Sequence, residues 1–359
     1  MVLYHSSVTA KKKIVFLTRP ISPPWDEASK NFAMYLARAI NIPGVELTLL
    51  TTKHKVTVFP SWVKQEHIQE NVALSAPSKM RLVWYILKTD ADCIHSLFVH
   101  TPLTGFIIRL IKSFKNFKAI QTISSLSSRR LVPLTLFGDV IVCFSRTNAN
   151  LLKQHNVASI VIPPAVPTDI FVPSKKENII AFLGELYRLK SYPLVDGLVE
   201  LLTENMPDYR FVLGFRRTRK PPQEQYLMSQ LKEKWQRNPR ISFVDVIEDM
   251  PSFLSKTKLV VLPATQFKGK FDYPLVARAA LASGTPVILS RIGPMKELAS
   301  FPGVVAPTIN TSQCFFEVIV KSLKTYHKLS DSARKTAQAH FSIETIAKQY
   351  EALYQKILF

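Results

Sequence analysis

The chain alternates short apolar runs with segments of helical periodicity along its whole length. In the N-terminal half, runs such as "DVIVCF" are apolar throughout, which favours strands covered on both faces, as in parallel sheets. Strands separated by helices predict a doubly wound α/β domain. The candidate strands are Lys13–Thr18, Val45–Thr51, Asp92–Phe98, Phe117–Thr122, Asp139–Phe144 and Ser159–Ile162.

The alternation restarts after a proline-rich segment, Val161–Asn178, which is typical of an inter-domain linker. We predict an N-terminal domain over residues 1–170, a C-terminal domain over 171–340, and a terminal helix over 341–359 that we expect to cross back to the N-terminal domain. Ligands of doubly wound sheets bind at the carboxyl ends of the strands. The cleft between the two domains is therefore the expected site.

Composition excludes several classes of protein. Of 359 residues, 47% are hydrophobic, enough for two cores and too many for a disordered chain. No run of about 18 apolar residues occurs, so no membrane-spanning helix is predicted. The early run "IVFL" is too short for a signal peptide. The widely spaced Cys93, Cys143 and Cys314 predict buried free thiols in a reducing cytoplasm.

The formal net charge of +21 is the strongest compositional signal. Such a surface attracts nucleic acid, an anionic membrane or phosphorylated substrates, and charge alone does not choose among them. No recognition-helix, zinc-finger or RNA-binding sheet motif accompanies the charge, so we expect no nucleic-acid partner.

The segment Thr104–Lys118 places four cations at every third position among aromatic and aliphatic residues. This pattern suits a basic amphipathic helix that rests on an anionic membrane. It suits equally a helix that covers a sheet and exposes a solvated basic face. The four cations are Arg109, Lys112, Lys115 and Lys118.

Two other polar features are expected to be structural. Asp90 and Asp92 have the D-x-D spacing of a known metal-binding motif, but here they precede a strand of the predicted doubly wound domain, so no metal site is predicted. His95 lies inside that strand, and we expect it to be a core residue.

The stretch Lys268–Ile288 has the pattern of a loop, a helix that begins at Pro274, a small-residue turn and a buried strand. Proline suits the first helical turn, and the free N–H groups after it carry partial positive charge that favours a phosphate or sugar oxygen. Lys268 and Lys270 would reinforce that charge. An ordinary helix between two strands of a sheet has the same pattern.

The same stretch resembles a donor-binding signature of retaining GT-B glycosyltransferases, in particular family four, the glycosyl transferases group 1. That signature is approximately E-x-(F/Y)-P-L-V-x-x-E-A-(L/M)-A-x-G-x-P-V-I, and "FDYPLVARAALASGTPVI" follows it after the first positions. "IAFLGELYRLKSYPLVDGLVELL" resembles the family's phosphate loop, and "GDVIVCFSRTNANLL" the end of its N-terminal domain. The resemblance covers nearly the whole chain in order. It implies GT-B architecture, in which two Rossmann-like doubly wound parallel-sheet domains face a central cleft.

The resemblance also implies a site for a nucleotide-diphosphate sugar in the C-terminal domain, with no metal and no resident cofactor. The resemblance places Lys190 at the position of the family's lysine that contacts the donor diphosphate. In that position its charge would have a catalytic role, because it would stabilise the leaving group. The donor-binding residues implied on the same ground are Gly184, Arg188, Lys190, Asp272, Tyr273, Pro274, Leu275 and Val276.

Several family residues are replaced in this chain. Glu185 stands where the family has a phosphate-binding arginine, a role for which Arg188 is the substitute. The two signature glutamates fall on Phe271 and Ala279, and the adjacent Asp272 offers a carboxylate to a sugar hydroxyl. Each lost charged hydrogen bond is worth roughly 1.5–3 kcal/mol. The replacements therefore fit either a divergent enzyme or a catalytically degenerate protein that binds a sugar or a partner.

The loop Arg19–Lys30 follows the first strand and is expected to face the cleft. Trp25 offers a stacking face, Glu27 a carboxylate for the acceptor, and Asp26 a candidate general base that would equally suit a helix cap. Two further candidates lie after later strands: His100, as a catalytic residue, and Ser124, at an acceptor position where the family often has a histidine.

These features predict a retaining hexosyltransferase-like enzyme that transfers a sugar from a nucleotide-diphosphate donor to a glycan or lipid-linked acceptor. The expected process is cell-surface polysaccharide or glycolipid synthesis. The expected location is the cytoplasm, with peripheral association at the inner face of the membrane.

Overall fold

The computed structural model describes residues 11–22, 25, 27–52, 59–69, 76–98, 101–126, 132–215, 221–267 and 271–359. All strand pairs are parallel and form two sheets, with helices between most successive strands. The predicted α/β class is confirmed.

The N-terminal sheet has seven strands in the order β3-β2-β1-β4-β5-β6-β7. Its strands are β1 (Lys12–Ile21), β2 (Val45–Thr52), β3 (Val63–Gln69), β4 (Cys93–Ser96), β5 (Lys118–Ile123), β6 (Val140–Cys143) and β7 (Ile160–Val161). Its helices are α1 (Ala28–Ala39), α2 (Ala76–Lys88), α3 (Pro102–Phe114), α4 (Val132–Thr135) and α5 (Arg146–Lys153).

The C-terminal sheet has six strands in the order β10-β9-β8-β11-β12-β13. Its strands are β8 (Ile179–Gly184), β9 (Arg210–Phe215), β10 (Ile241–Val244), β11 (Leu259–Leu262), β12 (Val287–Leu289) and β13 (Val304–Val305). Its helices are α6 (Tyr192–Asn205), α7 (Pro222–Trp235), α8 (Met250–Lys256), α9 (Leu275–Ala282), α10 (Met295–Leu298), α11 (Ser312–Lys324) and α12 (Tyr326–Thr336).

The chain crosses between the sheets twice, and the two crossings pair with each other. A π-helical turn, Ala337–Phe341, leads into the last helix, α13 (Ile343–Leu358). Val166 in the linker donates its N–H to Phe341 O at 2.9 Å, and its carbonyl accepts from Ile343 N at 3.1 Å. The linker and the start of α13 therefore form one connection between the domains.

Helix α13 packs into the core of the N-terminal sheet, in the same apolar cluster as residues of β1 and α1. His95 on β4 is fully buried, as predicted. Its ring nitrogens lie 2.5 Å from Tyr354 Oη on α13 and 2.7 Å from Thr122 Oγ1 on β5. The last helix is thus held in the N-terminal domain by hydrogen bonds as well as by apolar packing.

The structure differs from the sequence-based expectations at several places. The strand β3 was not predicted, because its sequence "VKQEHIQ" has no apolar run and it lies at the sheet edge. The helix predicted as far as Lys118 ends at Phe114, since Lys115 has extended backbone angles. Cys314 is half-buried, unlike the buried thiols of Cys93 and Cys143. Among the described residues, no helix has both the length and the apolar character needed to span a bilayer.

Candidate functional site

The loop after β8 carries the candidate phosphate-binding groups. It runs from Gly184, whose surface is exposed, through "ELYRLK" to Ser191, the N-cap of α6. Lys190 has a φ of +47°, a left-handed conformation uncommon outside glycine, and donates its N–H to Tyr187 O at 3.1 Å. The Lys190 side chain is exposed, and within the described part of the chain its ammonium has no hydrogen-bond or ion-pair partner.

A buried carboxylate holds this loop in place by hydrogen bonds to its backbone. Glu224, in the first turn of α7, is fully buried and accepts hydrogen bonds from Leu186 N at 2.7 Å and Tyr187 N at 2.8 Å. On the other side, Leu189 O accepts from the backbone N–H groups of Thr265 and Gln266 at 3.0 and 3.2 Å. The loop therefore holds one shape, and the groups at its tip are presented on a rigid support.

Glu185, which replaces the family's arginine, is paired within the loop. Its carboxylate lies 3.9 Å from Arg188 Nε, and the Arg188 side chain is 55% exposed. Arg188 thus compensates the unfavourable charge of Glu185 and still presents its guanidinium at the surface. Beside the loop is a cavity of about 450 Å³, lined by Leu186, Tyr187, Lys190, Tyr192, Leu227 and Thr265, among others.

The start of α9 supplies a second group of donors. The helix begins at Leu275 with Pro274 as its N-cap, one residue later than predicted. The N–H groups of Leu275 and Val276 belong to the first turn and have no partner among the described residues. Because β11 pairs with β8, the α9 start and the Lys190 loop lie at the same edge of the sheet. Lys268 and Lys270 lie outside the described residues.

The structure corrects the role predicted for Asp272. Its side chain is 1% exposed. Its carboxylate accepts hydrogen bonds from Ser145 Oγ at 2.6 Å and from Asn148 Nδ2 at 2.7 and 2.6 Å. Its backbone N–H donates to Ser124 O at 3.0 Å. Asp272 therefore joins the two domains, and its carboxylate is not open to a sugar hydroxyl in this structure.

Tyr273 is corrected in the same way. Its hydroxyl donates to Glu297 Oε2 at 2.9 Å, and burial together with that carboxylate raises its pKa. Glu297, on α10, also accepts from Arg146 N at 2.9 Å and from Thr147 N at 2.6 Å, at the first turn of α5. The Tyr273 side chain thus supports a second link between the domains rather than contacting a donor.

The positions of the two family glutamates carry no carboxylate and are packed. The Phe271 ring lies 4.9 Å from that of Phe144 in the N-terminal domain. The guanidinium of Arg278 lies 5.5 Å from the same ring and donates to Ala165 O at 2.5 Å. Arg278 is fully buried, and burial lowers its pKa to about 9. Ala279 belongs to the apolar core of the C-terminal domain.

The residues predicted on the N-terminal side of the cleft are only partly accessible to a ligand. Trp25 is 38% exposed, with Lys30 Nζ 5.6 Å from its ring centre. The Glu27 carboxylate accepts from Arg19 Nη1 at 2.9 and 3.1 Å, so it is already paired. Ser124 is 4% exposed. Asp26 and His100, the other predicted catalytic residues, lie outside the described residues.

Three groups that shape the site were not predicted from the sequence. Ser145 had a recognisable signal, since a serine ahead of a helical segment is a typical N-cap. Glu224, an acid in the first turn of a helix, had a weak one, because such residues are usually solvated. Glu297 had none, because its partners on α5 are 150 and 151 positions away in the sequence.

Comparison with known proteins finds similarity to glycosyltransferases. Residues 177–325 match the family described as Glycosyl transferases group 1. A stretch of 116 residues is 27% identical to MMP alpha-(1->4)-mannosyltransferase of Mycolicibacterium hassiacum and covers 31% of this chain. That stretch spans 27% of the mannosyltransferase, so the chain matches about a quarter of that relative's length.

Solved structures of glycosyltransferases share the whole fold. Sucrose-phosphate synthase from Thermosynechococcus elongatus has a TM-score of 0.77 at 17% identity, covering 97% of this chain and 99% of that one. HepE from Anabaena, in complex with UDP and glucose, has a TM-score of 0.74 at 14% identity, covering 96% and 99%. WaaG, a glycosyltransferase involved in lipopolysaccharide biosynthesis, has a TM-score of 0.68 at 11% identity, covering 95% and 99%.

The predicted GT-B architecture is confirmed by these structures, and the resemblance to the group 1 enzymes is confirmed by the family match. The matched residues include the Lys190 loop and the start of α9. The family that residues 177–325 match is one of glycosyltransferases, and the fold is shared with solved glycosyltransferase structures.

Proposed function

We propose that this chain, with its GT-B fold and its group 1 C-terminal domain, is a retaining glycosyltransferase that uses a nucleotide-diphosphate sugar. The observation that carries the proposal is the fixed loop after β8. Glu224 and the Thr265–Gln266 backbone hold this loop, and it presents the exposed cations of Arg188 and Lys190 at the carboxyl edge of the sheet.

The chemistry follows from where negative charge develops. When the bond between the sugar and the diphosphate breaks, the leaving group gains charge, and fixed donors stabilise that charge in the transition state. The Lys190 ammonium, the Arg188 guanidinium and the open N–H groups of Leu275 and Val276 are the donors that this chain offers. The donor is a substrate, and the proposal includes no resident metal or cofactor.

The donor mode differs from the family pattern. Phe271 and Ala279 leave no carboxylate at the two glutamate positions, and Asp272 and Tyr273 are occupied between the domains. Recognition of the sugar therefore rests on backbone groups and on the N-terminal loop that carries Trp25. The retaining outcome is proposed from the family resemblance.

For the acceptor, we propose a glycan or a lipid-linked sugar at the cytoplasmic face of a membrane, in the synthesis of a cell-surface polysaccharide or glycolipid. The names of the relatives support this class, since one is a mannosyltransferase and another is involved in lipopolysaccharide biosynthesis. The formal charge of +21 suits an acceptor held at an anionic surface.

A second candidate function rests on the packed glutamate positions. Because Phe271 contacts Phe144 across the domains, part of the cleft is closed, as would suit a non-catalytic protein that binds a sugar or a partner. Such a protein would bind a nucleotide or sugar without turnover.

The test is a thermal-shift screen of UDP, GDP and ADP, followed by an assay of sugar transfer and donor hydrolysis with the nucleotide that binds. At about a hundredfold excess over the dissociation constant, binding stabilises the fold by about 2.7 kcal/mol. Binding with turnover supports the enzyme. Binding without turnover in the presence of varied acceptors supports the second candidate. No response to any nucleotide contradicts the enzyme and is consistent only with a protein that binds a sugar or a partner.

A further inference from the structure

Helices α2 and α3 expose an apolar face to the outside of the N-terminal domain. Its members recur at helical spacing, with three on α2 and four on α3, and each side chain is between 41% and 78% exposed. We call this set the α2–α3 face: Met80, Trp84, Leu87, Leu103, Phe106, Leu110 and Phe114.

The two helices lie side by side on one face of the sheet. Leu82 and Ile86 of α2 share an apolar cluster with Ile108 and Ile111 of α3, beneath the exposed residues. At their ends, Lys115 Nζ donates to Leu87 O at 2.7 Å and to Thr89 O at 2.6 Å, so the two C-termini are joined directly. The two exposed stripes therefore form one surface.

This surface is exceptional within the chain. Among the described residues, 19 large apolar side chains are exposed, and seven of them lie on these two helices of 13 residues each. Single exposed apolar residues are normal in proteins, whereas a contiguous apolar patch rimmed by polar groups marks an interaction surface.

The charges around the face have one dominant sign. Neither helix contains an Asp or Glu, and together they carry five cations: Lys79, Arg81, Lys88, Arg109 and Lys112. At the rim, Lys88 Nζ lies 4.5 Å from the Trp84 ring, and the exposed acid Asp90 follows α2. An apolar face with a cationic rim matches the interior and the headgroups of an anionic bilayer.

The structure changes which residues of α3 would meet a membrane. The sequence pattern pointed to the basic positions, but Arg109 donates to Leu134 O at 3.3 Å and Lys112 pairs with Asp139 at 2.7 Å. These two cations therefore attach α3 to its own domain. The outward side chains are Leu103, Phe106, Leu110 and Phe114.

The position of the face relates it to the cleft. Helix α3 follows β4, so its first turn, with Leu103, lies at the carboxyl edge of the sheet, and Phe114 lies near the opposite edge. The face thus runs from the cleft edge along the side of the domain. A bilayer on this face would lie beside the cleft entrance, where a lipid-linked acceptor must enter.

We propose that the α2–α3 face inserts its apolar side chains into an anionic bilayer and thereby docks the enzyme at its acceptor. This inference rests on the proposed function, because docking serves the enzyme only if its acceptor is at a membrane. Vesicle binding is nevertheless measured independently of donor binding. Apolar insertion supplies depth, and the exposed cations of α2, Lys79 and Lys88, supply the preference for anionic lipid.

The test is flotation of the full chain with vesicles of phosphatidylcholine alone and with vesicles of equal parts phosphatidylcholine and phosphatidylglycerol. We expect binding to the anionic vesicles. The double variant Phe106→Gln with Phe114→Gln should lose about 100-fold or more in vesicle affinity. The matched control, Ile309→Gln with Phe359→Gln, removes two equally exposed apolar groups elsewhere and should bind like the wild type.

Fluorescence gives a second measurement. The chain has four tryptophans, and only Trp84 is on this face. Brominated lipid should quench wild-type fluorescence, and Trp84→Phe should abolish that quenching. The inference is overturned if the wild type does not bind anionic vesicles, if the Phe106/Phe114 variant binds as tightly as wild type, or if quenching survives in Trp84→Phe.

The variant also separates this inference from the proposed function. The Phe106/Phe114 variant should keep the wild-type thermal response to nucleotide diphosphates, because its changes lie outside the donor site. Nucleotide binding without vesicle binding overturns only the docking surface. Vesicle binding without any nucleotide response overturns only the donor assignment. If the wild type ignores vesicles but self-associates through these two phenylalanines, the face is a protein interface and the bilayer proposal is wrong.

Discussion

The side-chain amide of Asn148 donates to both carboxylate oxygens of Asp272, at 2.7 and 2.6 Å, across the boundary between the two domains. Asp272 lies next to the position of a family glutamate, so its sequence position suggested a contact with the sugar. Its carboxylate instead binds the first turn of α5. Beside it, Glu297 accepts from the backbone N–H groups of Arg146 and Thr147 in the same turn.

These two acids form a clasp, which we define as Asp272 and Glu297 of the C-terminal domain on Ser145, Thr147 and Asn148 of the N-terminal domain. The clasp joins the two domains where β6 leads into α5. The donor groups that remain open lie in the Lys190 loop and at the start of α9, which follows Tyr273 by two residues. Ligand binding is therefore expected around these open groups.

Replacing Lys190 by glycine is expected to abolish the thermal response to nucleotide diphosphates and to lower sugar transfer by about 100- to 1,000-fold, because a preorganised charge on the leaving group is lost. Glycine adopts the φ of +47° at this position without strain, so the melting temperature without ligand should stay close to that of the wild type. Differential scanning fluorimetry and a transfer assay measure both effects.

Lys296→Ala is the matched control, because it removes another exposed lysine of the same domain. It should keep the wild-type response. If the Lys190 and Lys296 variants show the same thermal response to the nucleotide, Lys190 is not part of the donor site.

Glu224→Ala is expected to destabilise the fold by about 2–4 kcal/mol, because the N–H groups of Leu186 and Tyr187 lose their buried acceptor. Donor affinity should fall as well, since the loop that carries Lys190 is no longer fixed. Urea denaturation and nucleotide titration below the melting range separate the two effects.

Gln223→Ala, at the exposed neighbouring position, should change neither quantity. Glu224→Gln, which keeps an acceptor oxygen, should have a stability and a nucleotide affinity between those of the alanine variant and the wild type. A folded Glu224→Ala protein with wild-type nucleotide affinity would show that the loop does not need this support.

Glu297→Ala is expected to cost about 1–2 kcal/mol, because the first turn of α5 loses an acceptor for its N–H groups. The Tyr273 hydroxyl loses its partner too. Since the lost contacts join the domains, small-angle scattering should show a larger radius of gyration. Glu204→Ala, an exposed acid on α6, is the control and should leave both stability and shape unchanged. An unaltered scattering curve for Glu297→Ala would contradict a clasp that holds the domains together.

The contribution of the clasp to the stability of the fold should depend on pH through the ionisation of Asp272. Burial raises the pKa of its carboxyl to about 7, against the opposing hydrogen bonds from Ser145 and Asn148. The folded state therefore keeps a proton that the unfolded state releases near its ordinary pKa of 3.8. This contribution to stability is full at low pH and is lost as the pH rises through about 7.

Asp272→Asn removes the titration, keeps the size of the side chain and retains one acceptor oxygen for Ser145 and Asn148. From about pH 5 to about pH 8, the free energy of unfolding of the wild type should fall relative to that of the variant, by a few kcal/mol at most. Denaturation curves of both proteins across this range measure the difference. Parallel pH profiles would show that Asp272 keeps one charge state throughout.

The sequence by itself determined the architecture and the positions of the donor groups along the chain. Apolar runs of four to six residues between helical segments specify parallel strands, because that pattern depends only on local periodicity. The loop at Lys190 and the helix start after Pro274 were recognisable for the same reason, since turn and cap residues act on their immediate neighbours. The predicted start of the helix at Pro274 was one residue before the observed start at Leu275.

The tertiary structure alone decided which of those groups face a ligand. Asp272 and Asn148 are 124 positions apart, so no local pattern shows that the carboxylate binds α5 rather than a sugar. Glu224 is 38 positions from Leu186, and only the pairing of β8 with β9 brings α7 beneath the loop. Similarly, the packing of α2 beside α3 decides that cations of α3 turn to their own domain while its aromatic residues face outward. Local sequence sets the elements, whereas the orientation of a side chain between two elements depends on how the sheets place them, and that is a property of the whole fold.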